Sequence, residues 1–82
     1  MAAVALHEAL AHLVCGIVEN PDDVEVTVVE GGRVETLEVR VNPADLGRVI
    51  GRSGRTVQAL RTVINALARG HRVRIDVIDT DE

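Results

Sequence analysis

Eighty-two residues make one domain at most, with a core at the small end of what folds alone. The single cysteine, Cys15, excludes an internal disulfide and cannot by itself build a zinc site, and with no Phe, Tyr or Trp the core must be aliphatic. The net charge of −4 speaks against a polyanionic partner only until it is located: residues 1–46 hold two arginines against nine acids, residues 47–74 hold seven arginines and no acid, and residues 75–82 hold four acids. An acid-free stretch of seven arginines is a local electrostatic footprint, and for phosphate binding the location of charge matters more than its total.

Residues 2–18 read as a helix, with Leu6, Leu10, Leu13, Val14 and Ile17 on one face and His7, Glu8 and His12 off it. Those polar residues break the apolar run that a signal peptide needs, and no stretch approaches the ~20 apolar residues of a membrane span, so a cytoplasmic globular domain is expected. Asn20-Pro21 ends the helix, because proline disfavours helical geometry in the residue before it. Residues 24–30 and 33–41 read as a β-hairpin closed by the two-residue turn Gly31-Gly32. Such a turn sets Val26 opposite Leu37 and Val24 opposite Val39, on the same face as Val28 and Val41. Thr27/Thr36, Glu25/Glu38 and Val29/Val34 then pair on the outer face, the two acids mildly unfavourable with Arg40 as a diagonal neighbour.

Asn42-Pro43 opens a short helix running to about Ile50. Asparagine is a good N-cap, proline suits the first helical position, and Asp45 complements the dipole in the first turn. Gly51 and Gly54 interrupt it. A further helix spans about 55–69, burying Val57, Leu60, Ile64 and Leu67 and stopped by Gly70. Residues 72–78 form a last strand with Val73, Ile75 and Val77 inward and Arg72, Arg74 and Asp76 outward, and residues 79–82 are a frayed acidic tail. No repeat or linker divides the chain, so residues 1–82 are a single domain. The order α-β-β-α-α-β gives an α+β fold. Its three-stranded mixed sheet has the second and third strands parallel across a helical crossover, with helices packed on one face.

The segment from Asn42 to Val57 is the informative one. Gly51 and Gly54 bracket Arg52 and Ser53 between two helices, where glycine permits a sharp turn and the close approach of another backbone. Arg52 and Arg55 supply formal charge, the exposed N–H groups opening the second helix suit a phosphate, and Arg48 lies one turn before the loop. Val49-Ile50 and Val57 set aliphatic groups beside it. Alone, a GxxG is weak; this setting gives it weight. Rival glycine motifs fail on spacing, since neither GxxxxGK[ST] nor GxGxxG is present. Arg61 and Arg69 are as readily read as solvated helix-face charge, and Arg72 and Arg74 are weaker candidates still. Cys15 reads as an ordinary helix residue. His7 and His12 are five apart rather than the four that aligns two metal ligands, and His71 stands alone. No nucleophile–base pair or carboxylate cluster is found, so no metal, cofactor or enzymatic activity is expected.

Val49-Ile50-Gly51-Arg52-Ser53-Gly54-Arg55-Thr56-Val57 resembles the signature of the KH domain, and the element order is that of its bacterial, type II form. With Asn20-Pro21-Asp22, the hairpin and Asp45-Leu46-Gly47-Arg48, the chain resembles over nearly its whole length the small bacterial KhpA family, formerly described as YlqC-like. That family often has lysine where this chain has arginine, which keeps the charge. The resemblance implies a clamp on about four single-stranded RNA nucleotides. Gly51, Arg52, Ser53 and Gly54, with Arg55 and Arg48, would hold the sugar-phosphate backbone. Leu46, Val49, Ile50 and Val57, with part of the last strand opposite, would line an aliphatic groove for the bases. The missing aromatics exclude RRM and OB modes, which stack bases on rings, but do not trouble such a groove. The resemblance further implies an RNA chaperone working as a homodimer or with a larger Jag-type KH partner (KhpB), in post-transcriptional control and in cell-wall and cell-length homeostasis, with no membrane or small-molecule substrate. The alternative is a KH fold used for dimerisation or protein interaction, with little RNA affinity of its own.

Overall fold

The structure, a computed structural model, describes residues 5–31 and 34–79. Helix α1 spans Leu6–Cys15. Leu10 and Val14, four apart and so on one face, are fully buried, while Leu6, Leu13 and Ile17 are partly buried against the same cluster. Residues 2–4 lie outside the described residues. At the other end the regular helix stops before the expected residue 18. Hydrogen bonds from Ile17 and Val18 N–H to the Val14 carbonyl carry one looser turn to that point. Pro21 is therefore not the terminator; it opens a 3₁₀ turn, Pro21–Asp23.

Strands β1 (Glu25–Val29) and β2 (Glu35–Arg40) are antiparallel, β3 (Val73–Val77) runs parallel to β2, and the sheet order is β1-β2-β3. The hairpin register differs from that of a Gly31-Gly32 two-residue turn. Val26 pairs with Val39 and Val28 with Leu37, a displacement of two residues from the expected Val26/Leu37 and Val24/Val39. An even slip keeps every side chain on its face, so Leu37 and Val39 still point into the core. On the outer face the slip replaces Glu25/Glu38, Thr27/Thr36 and Val29/Val34 by Glu25–Arg40, Thr27–Glu38 and Val29–Thr36. It thereby exchanges a like-charge pair for an opposite-charge one, and Arg40 also lies 3.6 Å from Glu38 on its own strand. The connection is correspondingly longer than a dipeptide; Gly32 falls outside the described residues.

After a 3₁₀ turn at Pro43–Asp45 come α2 (Leu46–Ile50) and α3 (Arg55–Ala68). Asn42 caps as expected, its Oδ1 accepting the Ala44 N–H at 2.9 Å. On α3, Val57, Leu60 and Ile64 are buried, but Leu67 is 47% exposed and Ala68 takes the inward place. Arg69 (φ 44°) and Gly70 (φ 92°) end the helix in left-handed geometry. The core is one aliphatic cluster between the helices and one face of the sheet, with Leu10 and Val14 of α1, Leu37 of β2, Val49 of α2, Ile64 of α3 and Ile75 of β3 at its centre.

Candidate nucleic-acid interface

The α2–α3 connection is held by backbone geometry. Gly51 adopts φ 78°, ψ 169°, a combination nearly closed to L side chains. A Cβ there would also lie 2.7 Å from Thr56 Cβ and 2.8 Å from the Thr56 backbone nitrogen. Glycine is thus required twice over, because α3 begins directly beneath it. Ser53 (φ 57°, ψ 25°) and Gly54 (φ 74°, ψ 16°) are both left-handed, yet a Cβ at Gly54 would meet only Val57 Cγ1, at 4.0 Å. The turn is closed by the Gly54 N–H donating to the Gly51 carbonyl at 3.1 Å. It leaves Arg52, Ser53 and Arg55 exposed beside the first, intrahelically unpaired N–H groups of α3. Among the described residues, neither Arg52 nor Arg55 has a carboxylate within ion-pair distance.

Arg48 is different. Its guanidinium lies 3.4 Å from Glu19 and 4.0 Å from Asp45, so it already has acidic company. Asp45 in turn does more than complement a helix dipole. It is 1% exposed. Its Oδ1 accepts the Glu19 N–H at 3.2 Å, and its Oδ2 accepts the Asn20 N–H and Asn20 Nδ2, both at 3.0 Å. Burial raises the carboxyl pKa, but the Asn20 side chain, the two backbone N–H groups and the Arg48 charge outweigh it and hold the group below its ordinary value. Asp45 therefore pins the segment after α1 to the base of α2, on which the loop stands.

Beside the loop runs a groove of about 460 Å³ lined by Ile50, Val57, Arg61, Asp76, Val77 and Ile78. Of the four aliphatic residues expected to line it, Ile50 and Val57 do. Val49 is fully buried in the core and Leu46 is packed against it, so these two back the wall. Arg61, left undecided between a solvated face and a role, belongs to the groove. Its Nη1 donates to Gln58 Oε1 at 2.8 Å and its Nη2 to the Ile75 carbonyl at 3.2 Å. Its spacing of four from Val57 was the available signal, since such residues share a helix face.

The remaining arginines do not converge on the loop. Arg69 lies past the far end of α3, about 20 Å away at the helical rise per residue, and Arg74 is on the outer sheet face opposite Thr36. His71 is not alone: its Nε2 is 3.2 Å from Glu35 Oε1. The Cys15 thiol points at the Pro21 carbonyl, 3.8 Å away. Among the described residues no group of three or more His, Cys, Asp and Glu could hold a metal ion, and no helix is long and apolar enough to cross a membrane.

This architecture and loop have close counterparts. The family model for the KH domain of KhpA and KhpB matches residues 7–78. An RNA-binding protein KhpA from Leifsonia xyli is 65% identical over 90% of this chain and 97% of its own. Proteins of the same name from Streptomyces coelicolor and Mycobacterium tuberculosis are 59% identical, over 93% of this chain and 95% of theirs, and 52% identical over the full length of both. Among solved structures, Aquifex aeolicus Era, crystallised with GDP, superposes with a TM-score of 0.66 on 88% of this chain and 29% of its own. At 17% identity that likeness is one of fold. On the family match and these identities, the chain belongs to the KhpA family of KH-domain proteins.

Proposed function

We propose that this protein is an RNA-binding protein, not an enzyme, that clamps about four single-stranded nucleotides between the Gly51–Gly54 loop and the adjoining groove. One observation carries the reading: a loop whose first glycine admits no side chain presents two arginines without carboxylate partners, next to an aliphatic groove. Phosphates meet Arg52, Arg55, the Ser53 hydroxyl and the N–H groups opening α3, with Arg48 adding charge from behind. Bases lie over Ile50 and Val57, backed by Leu46 and Val49. The names of the relatives, RNA-binding protein KhpA, support the same ligand.

The finer reading is of a cytoplasmic RNA chaperone acting as a homodimer or with a larger KH partner of the KhpB/Jag type, in post-transcriptional control and cell-wall and cell-length homeostasis. One clamp contacts few nucleotides, so useful affinity requires a second, linked site. A self-associating form is favoured by Val63 and Leu67, exposed at 45% and 47% one turn apart on α3. The same pair favours the second reading, a dimerisation module with little RNA affinity. Backbone NMR titration with short unstructured RNA separates the two. The clamp requires shifts at Ile50 through Val57 and at Arg61. Shifts at Val63 and Leu67 that depend on protein concentration, with none at the loop on adding RNA, support the module instead.

A further inference from the structure

β3 is an edge strand, so half of its backbone groups point away from β2. The register shows which. The Ile78 N–H donates to the Val39 carbonyl at 2.9 Å, while Val39 is aligned with Val77. Even-numbered residues of β3 therefore face β2, and Val73, Ile75 and Val77 turn their N–H and C=O groups to the free edge, beneath α3.

The helix covers that edge rung by rung. Four residues of helix rise about 6 Å and two residues of strand about 6.6 Å, so Asn65, Arg61 and Val57 fall in step with Val73, Ile75 and Val77. At the first rung Asn65 closes the edge completely: its Nδ2 donates to the Val73 carbonyl and its Oδ1 accepts the Val73 N–H, both at 3.0 Å. At the second, Arg61 covers the Ile75 carbonyl. At the third, Val57 offers no polar atom, and the edge of Val77 stays open in the groove wall. A flat ring resting on Val57 and Ile50 would bring its polar edge to Val77, with the Arg61 guanidinium alongside.

Resting on the RNA-binding reading above, we infer that Arg61 selects the base in this groove. Two guanidinium N–H groups are engaged, by Gln58 and Ile75, and the other donors remain for a ligand. A guanidinium fork matches two adjacent acceptors. Guanine offers such a pair in O6 and N7, and cytosine in O2 and N3. Adenine sets an amino donor beside each ring acceptor on its Watson–Crick and Hoogsteen edges, and uracil alternates acceptor, donor, acceptor. The groove thus accepts guanine or cytosine and rejects adenine and uracil.

The test is fluorescence anisotropy with an all-adenine octamer and octamers carrying a single guanine, cytosine or uracil at successive positions. The wild type is expected to prefer one guanine- or cytosine-containing register by about tenfold over all-adenine, with no such gain from uracil. Arg61→Gln is expected to shrink that ratio to within about twofold of unity. Arg61→Lys, which keeps the charge and a donor for the Ile75 carbonyl but lacks the fork, is expected to do the same. A ratio that survives in both variants, or affinity lost equally for every RNA with the ratio intact, overturns the inference. A wild type that binds all the octamers without preference also overturns it while leaving the clamp standing; a wild type that binds none removes the clamp itself.

Discussion

Gly51 and Gly54 look equivalent as a motif, but the structure assigns them different tasks, and two alanine substitutions expose the difference. Both residues have positive φ, which costs an L side chain about 1–2 kcal/mol. For Gly54→Ala that is nearly the whole cost, because the new Cβ meets only Val57 Cγ1 at 4.0 Å. For Gly51→Ala, ψ 169° lies in glycine-only territory, and the Cβ falls 2.8 Å from the Thr56 backbone nitrogen, which moves only if the first turn of α3 moves. Adding an overpacking penalty of about 1–3 kcal/mol gives about 3–4 kcal/mol for Gly51→Ala against about 1 for Gly54→Ala. A domain of this size has about 4–12 kcal/mol in all, so the first change takes a large fraction and the second is tolerated. Urea melts followed by far-UV circular dichroism measure both, the chain having no aromatic reporter. Gly54→Ala should fold and still lose RNA affinity, since its Cβ would occupy the surface offered to the phosphates. Thr56→Ala should not rescue Gly51→Ala, because Thr56 Cβ and its backbone nitrogen remain. Equal destabilisation by the two alanines, or a larger effect at Gly54, would refute this division of labour.

Asp45→Asn replaces one acceptor oxygen with a donor facing the Glu19 or Asn20 N–H groups, so its urea midpoint at neutral pH should fall well below wild type. Because the folded-state pKa of Asp45 is lowered, its contribution is fully present above the unfolded value of about 3.9 and is lost as pH falls through the folded value. The gap between the variant and wild type should therefore narrow in acid, and a gap independent of pH between 5 and 3, as approximate limits, would contradict the role given to the carboxylate. Asn65→Val unclips the β3 edge at Val73 and should cost about 2 kcal/mol in the same melts, whereas a stability unchanged from wild type would mean that the clip contributes nothing.

The parts of the fold set by periodicity were legible in the sequence. Leu10 and Val14 repeat at helical spacing, and inward and outward residues alternate along β2 and β3, so element order and buried faces follow. The hairpin register was not legible, because alternation forbids only odd slips. Gly31-Gly32 suggested a tight turn, but pairing Glu25 with Arg40 required the longer one. Leu67 and Ala68 show the limit of a helical stripe. At about 100° per residue Ala68 lies about 40° from Ile64 and Leu67 about 60° on the other side, so both sit near the boundary, and packing rather than hydrophobicity selected alanine. At the site, Gly51 through Arg55 were readable because their meaning is local. Asp45 and Arg61 were not, because their partners are distant: Asp45 answers to Glu19 and Asn20, and Arg61 to the Ile75 carbonyl. No local pattern announces such contacts.

The most direct test of the clamp is the affinity of Arg52→Asp/Ser53→Asp for a short single-stranded RNA, measured beside wild type over a salt series. Both side chains are exposed, and aspartate tolerates the left-handed geometry of residue 53, so the variant should melt like wild type. Wild type should bind with an affinity that falls as salt rises, and the variant, with two carboxylates set against the phosphates, should not bind. A folded variant that binds as tightly as wild type would contradict the account at its centre.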